Sequence, residues 1–390
     1  MQPSTQPIRV IADDLTGAVD CLAPLVHAGD PGLVLLGADR PPAGHRAVSW
    51  DACTREADAA TALRRLAPIA AALGAVDGAG AAALLIQKVD SRGRGAIARD
   101  VSTLLSLLGH QPLAVVCPAF PAQGRYFRDG ATSDAATGAA DVDLAGAFRD
   151  HGYSIRLGCG TTQSEIAAEI RAAKASNAGV LLCDGRTPAQ MRAVAAAVAA
   201  IAEEGAFPIL AVASAGLTTA LAGLAAAPLP TAPPPPAASM AFVLGTAAEP
   251  TRRQAAALTR ARGVPILTRT LGEWREGAPS PIGGDVIWAL APPPADAPLH
   301  SSAASAMAES LLPQLRGARP VLLSGGDTAR AVLTGLGLDR FEVLGAIEPG
   351  LCHGRSLDFA LSFFTKSGGF GDEATLIRLY DLLRNEDARP

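Results

Sequence analysis

The chain has 390 residues, of which 49% are hydrophobic and 18% charged, with a formal net charge of −4. That length predicts two domains, and that hydrophobic content excludes a disordered chain. The weak negative charge and the lack of a long basic run argue against a nucleic-acid surface, and no unbroken apolar run reaches the roughly 18 residues of a membrane span.

Residues 1–7 have neither the basic flank nor the apolar core of a secretory signal. Short apolar runs then alternate with Ala-rich stretches. In the first half the runs predict strands at 8–12, 83–88, 113–117, 179–183 and 208–212. Helices are expected at 16–28, 55–73, 96–108, 188–203 and 216–224. Residues 131–150 are small and polar with weak periodicity and read as a loop. The Pro-rich stretch 228–236, with four successive prolines, prevents helix and interior strand. It predicts a linker at 229–238 between a domain of residues 1–228 and one of residues 239–390. In the second half, strands near 241–245, 284–290, 320–323 and 358–364 alternate with helices near 249–261, 301–315, 327–335 and 373–384. A second Pro-rich stretch, 292–298, reads as a loop inside that domain. The fold class expected is α/β, two domains, each a largely parallel sheet flanked by helices.

Polar islands follow the apolar runs, and ligands of open α/β sheets bind outside the carboxyl ends of the strands. Asp13 and Asp14 follow the first run, with Thr16-Gly17 opening a helix. Adjacent carboxylates alternate in direction, so one is expected in a pocket and one as helix cap. Lys88, Asp90, Ser91, Arg92 and Arg94 form a mixed-charge cluster among glycines. It suits a small polyhydroxy carboxylate, with Arg gripping the carboxylate and Asp accepting from the hydroxyls, or else reads as a solvated loop. The loop 118–125 adds Gln123 and Arg125.

The second half carries a different chemistry. In Ser324-Gly325-Gly326-Asp327-Thr328, two glycines after a strand let the backbone approach a ligand, and the next helix aims free N–H groups there. An ordinary capped turn is the alternative. Lys366-Ser367-Gly368-Gly369-Phe370-Gly371 has the composition of a phosphate nest, although its lysine precedes the glycines, unlike a P-loop. Gly245-Thr246 is a third such turn. The six cysteines have no C-x-x-C pair and read as free thiols in a reducing cytoplasm. The histidines show no zinc pattern, and G-x-S-x-G and G-x-G-x-x-G are lacking, which removes serine-hydrolase and nicotinamide-dehydrogenase readings.

Taken in order, these motifs resemble the four-carbon acid sugar kinase family over nearly the whole chain. Ala12-Asp13-Asp14-Leu15-Thr16-Gly17-Ala18 is similar to its opening signature. Lys88-Val89-Asp90-Ser91 with Arg94-Gly95, the stretch from Pro118 to Arg125, and Ser214-Ala215-Gly216-Leu217 follow. Gly325-Gly326-Asp327-Thr328-Ala329, Glu348-Pro349-Gly350 and the 366–371 segment complete the series. Thr246 stands where the family usually has Ser, and Arg92-Gly93 where it typically has Thr-Leu or similar.

The resemblance implies an N-terminal sugar-acid-binding domain, a C-terminal nucleotide-binding domain, and ATP-dependent phosphorylation of a tetronate or 3-oxo-tetronate hydroxyl. Thr246, Ser324, Gly325, Gly326, Asp327, Thr328, Lys366, Ser367, Gly368, Gly369 and Gly371 would then hold the nucleotide, with Mg²⁺ on its phosphates near Asp327. Thr16, Lys88, Ser91, Arg92, Arg94, Gln123 and Arg125 would hold the sugar acid, Lys88 and Arg94 taking its carboxylate. Asp13 or Asp14 would accept the hydroxyl proton, with Asp90 as rival. The linker would let the halves close and exclude water. A cytoplasmic enzyme without nucleic-acid or membrane partners is expected, with homodimerisation left open. The alternative is a non-catalytic sugar-acid or nucleotide sensor of the same fold.

Overall fold

The computed structural model describes residues 6–26, 29–42, 44–76, 84–109, 112–135, 138–224, 234–246, 248–280, 282–292, 301–316 and 319–384. Residues 229–233 of the expected linker and 293–298 of the second Pro-rich stretch lie outside the described residues. Two compact units emerge, Met1–Leu25 with Gly37–Leu229 and Val26–Leu36 with Pro230–Pro390.

The first unit is built on parallel strands in the order Ala47–Asp51, Ile8–Ala12, Leu84–Lys88, Ile209–Ala213, Leu113–Cys117, Val180–Cys183 and Ile155–Gly158. The central strands are covered on both faces, which is why they read as unbroken apolar runs rather than alternating ones. Register aligns their carboxyl ends. Ala12 lies opposite both Asp51 and Lys88, and Ala213 lies opposite both Lys88 and Cys117. The loops that leave these strands therefore emerge side by side.

The loop expected at 131–150 is corrected. Arg125–Arg128, Ala131–Asp134 and Ala139–Asp143 form an antiparallel sheet, followed by the helix Leu144–Asp150. Thr132 and Asp134 are its inward side chains, and they face Arg92. A strand whose buried positions are polar has no hydrophobic period to betray it.

The second unit orders its strands Ile266–Arg269, Val286–Leu290, Ala241–Leu244, Val321–Ser324, Ser362–Lys366, Leu351–Ser356, Arg340–Glu348 and Gly32–Leu35. The first five are parallel and the last three are added antiparallel. Gly32–Leu35 comes from the N-terminal part of the chain, yet pairs with Arg340–Glu348, and Leu36 N–H donates to Asp339 O at 2.8 Å. The run expected as a strand at 358–364 pairs only from Ser362 onward, because Asp358 to Ala360 form an exposed bend before it. Phe242, Leu258, Ile287, Leu322, Phe364, Leu376 and Leu379 form a core between the sheet and the helices Glu249–Arg262 and Thr375–Arg384. The α/β class with largely parallel sheets is as the sequence leads one to expect.

Candidate functional site

In the first unit, backbone hydrogen bonds lace the strand-end loops together. Asp13 N–H donates to Lys88 O at 3.2 Å, Arg55 N–H to Asp13 O at 3.2 Å, and Val89 N–H to Ala213 O at 2.9 Å. Asp14 takes extended backbone and caps the helix Leu15–Leu22. Its Oδ1 accepts from Gly17 N–H at 2.9 Å and its Oδ2 from the Thr16 hydroxyl at 2.8 Å. Thr16 thus serves the cap.

Arg55 joins the two aspartates. Its Nε and Nη2 donate to the two oxygens of Asp13 at 2.9 and 2.7 Å, and its Nη1 and Nη2 donate to those of Asp14 at 2.7 and 2.9 Å. Sequence reading missed Arg55. The strand before it, Ala47–Asp51, interrupts its apolar residues with Ser49, and the helix expected from 55 begins only at Ala59. A polar residue four positions beyond a buried strand was the available signal.

Lys88 ends its strand with 6% exposure, and its Nζ donates to Val89 O at 2.8 Å. A Cβ placed on Gly17 would fall 2.5 Å from Asp14 Oδ1 and 2.8 Å from Lys88 Nζ, so both groups press on the first turn of that helix. Only glycine leaves them room.

Asp90 organises its own loop. It accepts from the N–H groups of Arg92 and Arg94 at 3.1 and 3.2 Å and from Arg94 Nε and Nη2 at 3.0 and 2.7 Å. Arg92 Nε pairs with buried Asp134 at 2.7 Å. The charge that distinguishes this loop from its family pattern is thus matched inside the unit. Arg125 Nη1 donates to Ser91 Oγ at 2.9 Å. Gln123 lies half-buried in the short turn Pro121–Gln123. That loop is anchored by Ser214, whose hydroxyl donates to Ala119 O at 2.9 Å while accepting from Gly216 N–H at 3.1 Å.

The three carboxyls differ in proton affinity. Burial dominates at Asp13 and raises it above the ordinary carboxylate value, although Arg55 and Lys88 pull the other way. Burial is also the largest single influence on Asp14, but Arg55, Lys88 and the hydrogen bonds from Thr16 and Gly17 together win and hold it below that value. Burial at Asp90 is likewise overcome, first by its hydrogen bond from Arg94, and its carboxyl is held well below the ordinary range.

The second unit brings three glycine turns to the ends of neighbouring parallel strands, Ala241–Leu244, Val321–Ser324 and Ser362–Lys366. Gly245 N–H donates to Ser324 O at 3.2 Å, and Gly325 N–H to Lys366 O at 3.1 Å. A Cβ on Gly245 would stand 1.9 Å from Thr328 Oγ1, and one on Gly368 2.6 Å from Thr246 Oγ1. Gly325 has φ of 104°, open to glycine alone, and starts the helix Gly326–Gly335 with Asp327 exposed in its first turn. The leading N–H groups of this helix have no partners within it. Lys366, 1% exposed, donates from Nζ to Thr251 Oγ1 at 3.0 Å and to Ser367 O at 3.1 Å. Thr251 in turn donates to Gly368 O at 2.8 Å, so the lysine braces the 367–371 turn from below. Ser367 and Gly369 belong to that turn, which Phe370 N–H closes on Ser367 O at 3.1 Å, and Gly371 follows with φ of 84°.

Among the described residues no group of three or more His, Cys, Asp or Glu could hold a metal ion, and no helix is long and apolar enough to cross a membrane. Among the described residues no disulfide joins any of the six cysteines, with Cys159 exposed and Cys53 half-buried.

Comparison with known proteins fits this division. The model of a sugar-binding N-terminal domain matches residues 8–221, and that of a nucleotide-binding C-terminal domain matches residues 292–376. A D-threonate kinase of Cupriavidus necator is 30% identical, with 94% of this chain and 95% of that protein covered. A D-threonate kinase of Bordetella bronchiseptica is 29% identical, with 97% of each covered. A crystal structure from Salmonella typhimurium LT2, provisionally described as a tRNA synthase, shares the fold. It has a TM-score of 0.72 at 21% identity and covers 96% of this chain and 98% of its own.

Proposed function

The chain belongs to the four-carbon acid sugar kinase family, and we propose that it transfers the terminal phosphoryl group of ATP to a hydroxyl of a four-carbon sugar acid, D-threonate foremost. The observation that carries this reading is the cluster of Asp13, Asp14, Arg55 and Lys88 at the aligned carboxyl ends of the first unit's strands. Buried carboxylates suit hydroxyls, and a buried ammonium suits a carboxylate. Arg94 keeps one face toward solvent while bound to Asp90, and it is the second cation for the acid group.

The glycine turns of the second unit suit phosphates. Gly245, Gly325 and Gly368 keep side chains out of the space beside Thr246 and Thr328, and the Gly326–Gly335 helix offers its N–H groups there. In this reading Lys366 acts from beneath the turn rather than on the phosphate. Mg²⁺ would be borne mainly by phosphate oxygens, with Asp327 the carboxylate at hand, and would neutralise charge during transfer.

The reaction asks for alignment more than for covalent chemistry. The hydroxyl oxygen must meet the γ-phosphorus in line, give up its proton, and displace ADP. The test is ADP release by the purified protein with MgATP across a panel of four-carbon sugar acids. Release that depends on one of them supports the kinase. Binding of a sugar acid without any release supports a sensor instead.

A further inference from the structure

An ionised carboxylate offers about four lone-pair sites, and the three aspartates of the first unit differ in how many are taken. Asp14 receives Gly17 N–H, the Thr16 hydroxyl and two Arg55 N–H groups. Asp90 receives two backbone N–H groups and two from the Arg94 guanidinium. Both are saturated. Among the described residues Asp13 receives only Arg55 Nε and Nη2. It is 6% exposed and directly follows the buried strand Ile8–Ala12.

We propose that Asp13 is the catalytic carboxylate that takes the substrate proton, that Arg55 positions it, and that Asp14 and Asp90 are fixed struts of their own loops. The inference rests on the kinase reading above. The hydroxyl oxygen forms the new bond to the γ-phosphorus of ATP, and the bond from that phosphorus to the β,γ-bridging oxygen breaks. ADP leaves with that electron pair, and the hydroxyl proton passes to a free lone pair of Asp13, which later returns it to water.

Proton affinity agrees with the geometry. A pair of carboxyls whose surroundings push them apart divides the labour of acid and base. Burial raises Asp13, while Asp14, under the same arginine, is lowered. Arg55 first, and then Lys88, keep Asp13 from rising further. The groups facing Asp13 are Arg55, Lys88 and Asp14, and Arg55 is the one bonded to it.

The experiment has two arms on the full chain. In the first, carbon-13-labelled aspartate is titrated by NMR without substrate. One carboxyl should titrate above the ordinary carboxylate range, vanish in Asp13→Asn, and persist in Asp14→Asn and Asp90→Asn. In the second, turnover is followed against pH. Asp13→Asn should lower kcat at least a hundredfold, leave the KM for ATP within about twofold, and abolish the acidic limb of the profile. Asp14→Asn should cost less than tenfold, and Asp14→Ser, which keeps the helix cap, serves if the Asn variant folds poorly. Arg55→Met should move the acidic limb to higher pH, whereas Arg55→Lys should leave the limb in place and lower kcat. A raised carboxyl that disappears in Asp14→Asn, or Asp13→Asn retaining turnover and the acidic limb, overturns the proposal. Absence of any sugar-acid-dependent ADP release in the wild type is a separate failure, of the kinase reading. The titration still assigns the protonatable carboxyl.

Discussion

His353 sits in the second unit's antiparallel strands, stacked on Phe364 at 5.0 Å, with Nε2 bonded to Ser362 Oγ at 2.8 Å. Burial first, and then the charge of Arg355, lower its pKa from 6.5 to about 4. A histidine with a depressed folded pKa stabilises the protein above its unfolded value and loses that contribution as pH falls toward the folded one. Thermal unfolding measured from pH 6.5 down to 4 should therefore show a steeper loss for the wild type than for His353→Gln. Equal slopes would mean the ring already holds its proton when folded. Lys88 lends itself to a kinetic test at the same scale. Lys88→Met should raise the sugar-acid KM about tenfold to a hundredfold, as expected for losing a charged hydrogen bond, and leave ATP affinity unchanged. An unaltered KM would remove Lys88 from the acid-binding pocket. Asp13, Asp14 and Lys88 were legible because each polar residue directly ends or follows an apolar run. Arg55 was not, since it stands free of any motif and matters only through what it clamps.

At the scale of elements, the glycine turns make a strict claim about space. Gly245→Ala puts a methyl group where Thr328 Oγ1 already lies, at 1.9 Å. Either the hydroxyl or the turn must move. The variant should lose about 1–3 kcal/mol of stability, as overpacked sites do, and bind ATP at least tenfold more weakly by calorimetry. Wild-type affinity in a folded variant would show that the turn does not approach the nucleotide. The parallel strands Ala47–Asp51, Ile155–Gly158 and Ile266–Arg269 and the helix Gln163–Ala175 escaped the sequence reading, but the other parallel strands and most Ala-rich helices were readable from apolar runs and their spacing. The antiparallel additions were not, for separate reasons. Ala131–Asp134 buries polar residues, and Arg340–Glu348 keeps several half-buried positions and two register shifts against Leu351–Ser356. Gly32–Leu35 is only four residues long, and its partner strand lies some three hundred positions away in the sequence. The first helix stops at Leu22, short of the expected 28, where the short turn Ala23–Leu25 contains Pro24.

The chain forms two compact units, and the models of a sugar-binding domain and a nucleotide-binding domain match residues 8–221 and 292–376; the proposed function assigns the sugar acid to the first unit and ATP to the second. Binding defects should divide in the same way. Substitutions at Lys88 should spare ATP binding, and those at Gly245 should spare sugar-acid binding, when each is measured alone by calorimetry. A variant in one unit that abolished both affinities in a folded protein would contradict that separation. Phosphorus-31 NMR of the protein with MgATP and D-threonate tests the central claim most directly. The account predicts a new phosphomonoester resonance that grows as the γ-phosphate signal falls, with ADP formed in equal amount and neither change in Asp13→Asn. An unchanged spectrum across the four-carbon sugar acids, or inorganic phosphate as the sole new signal, would contradict it.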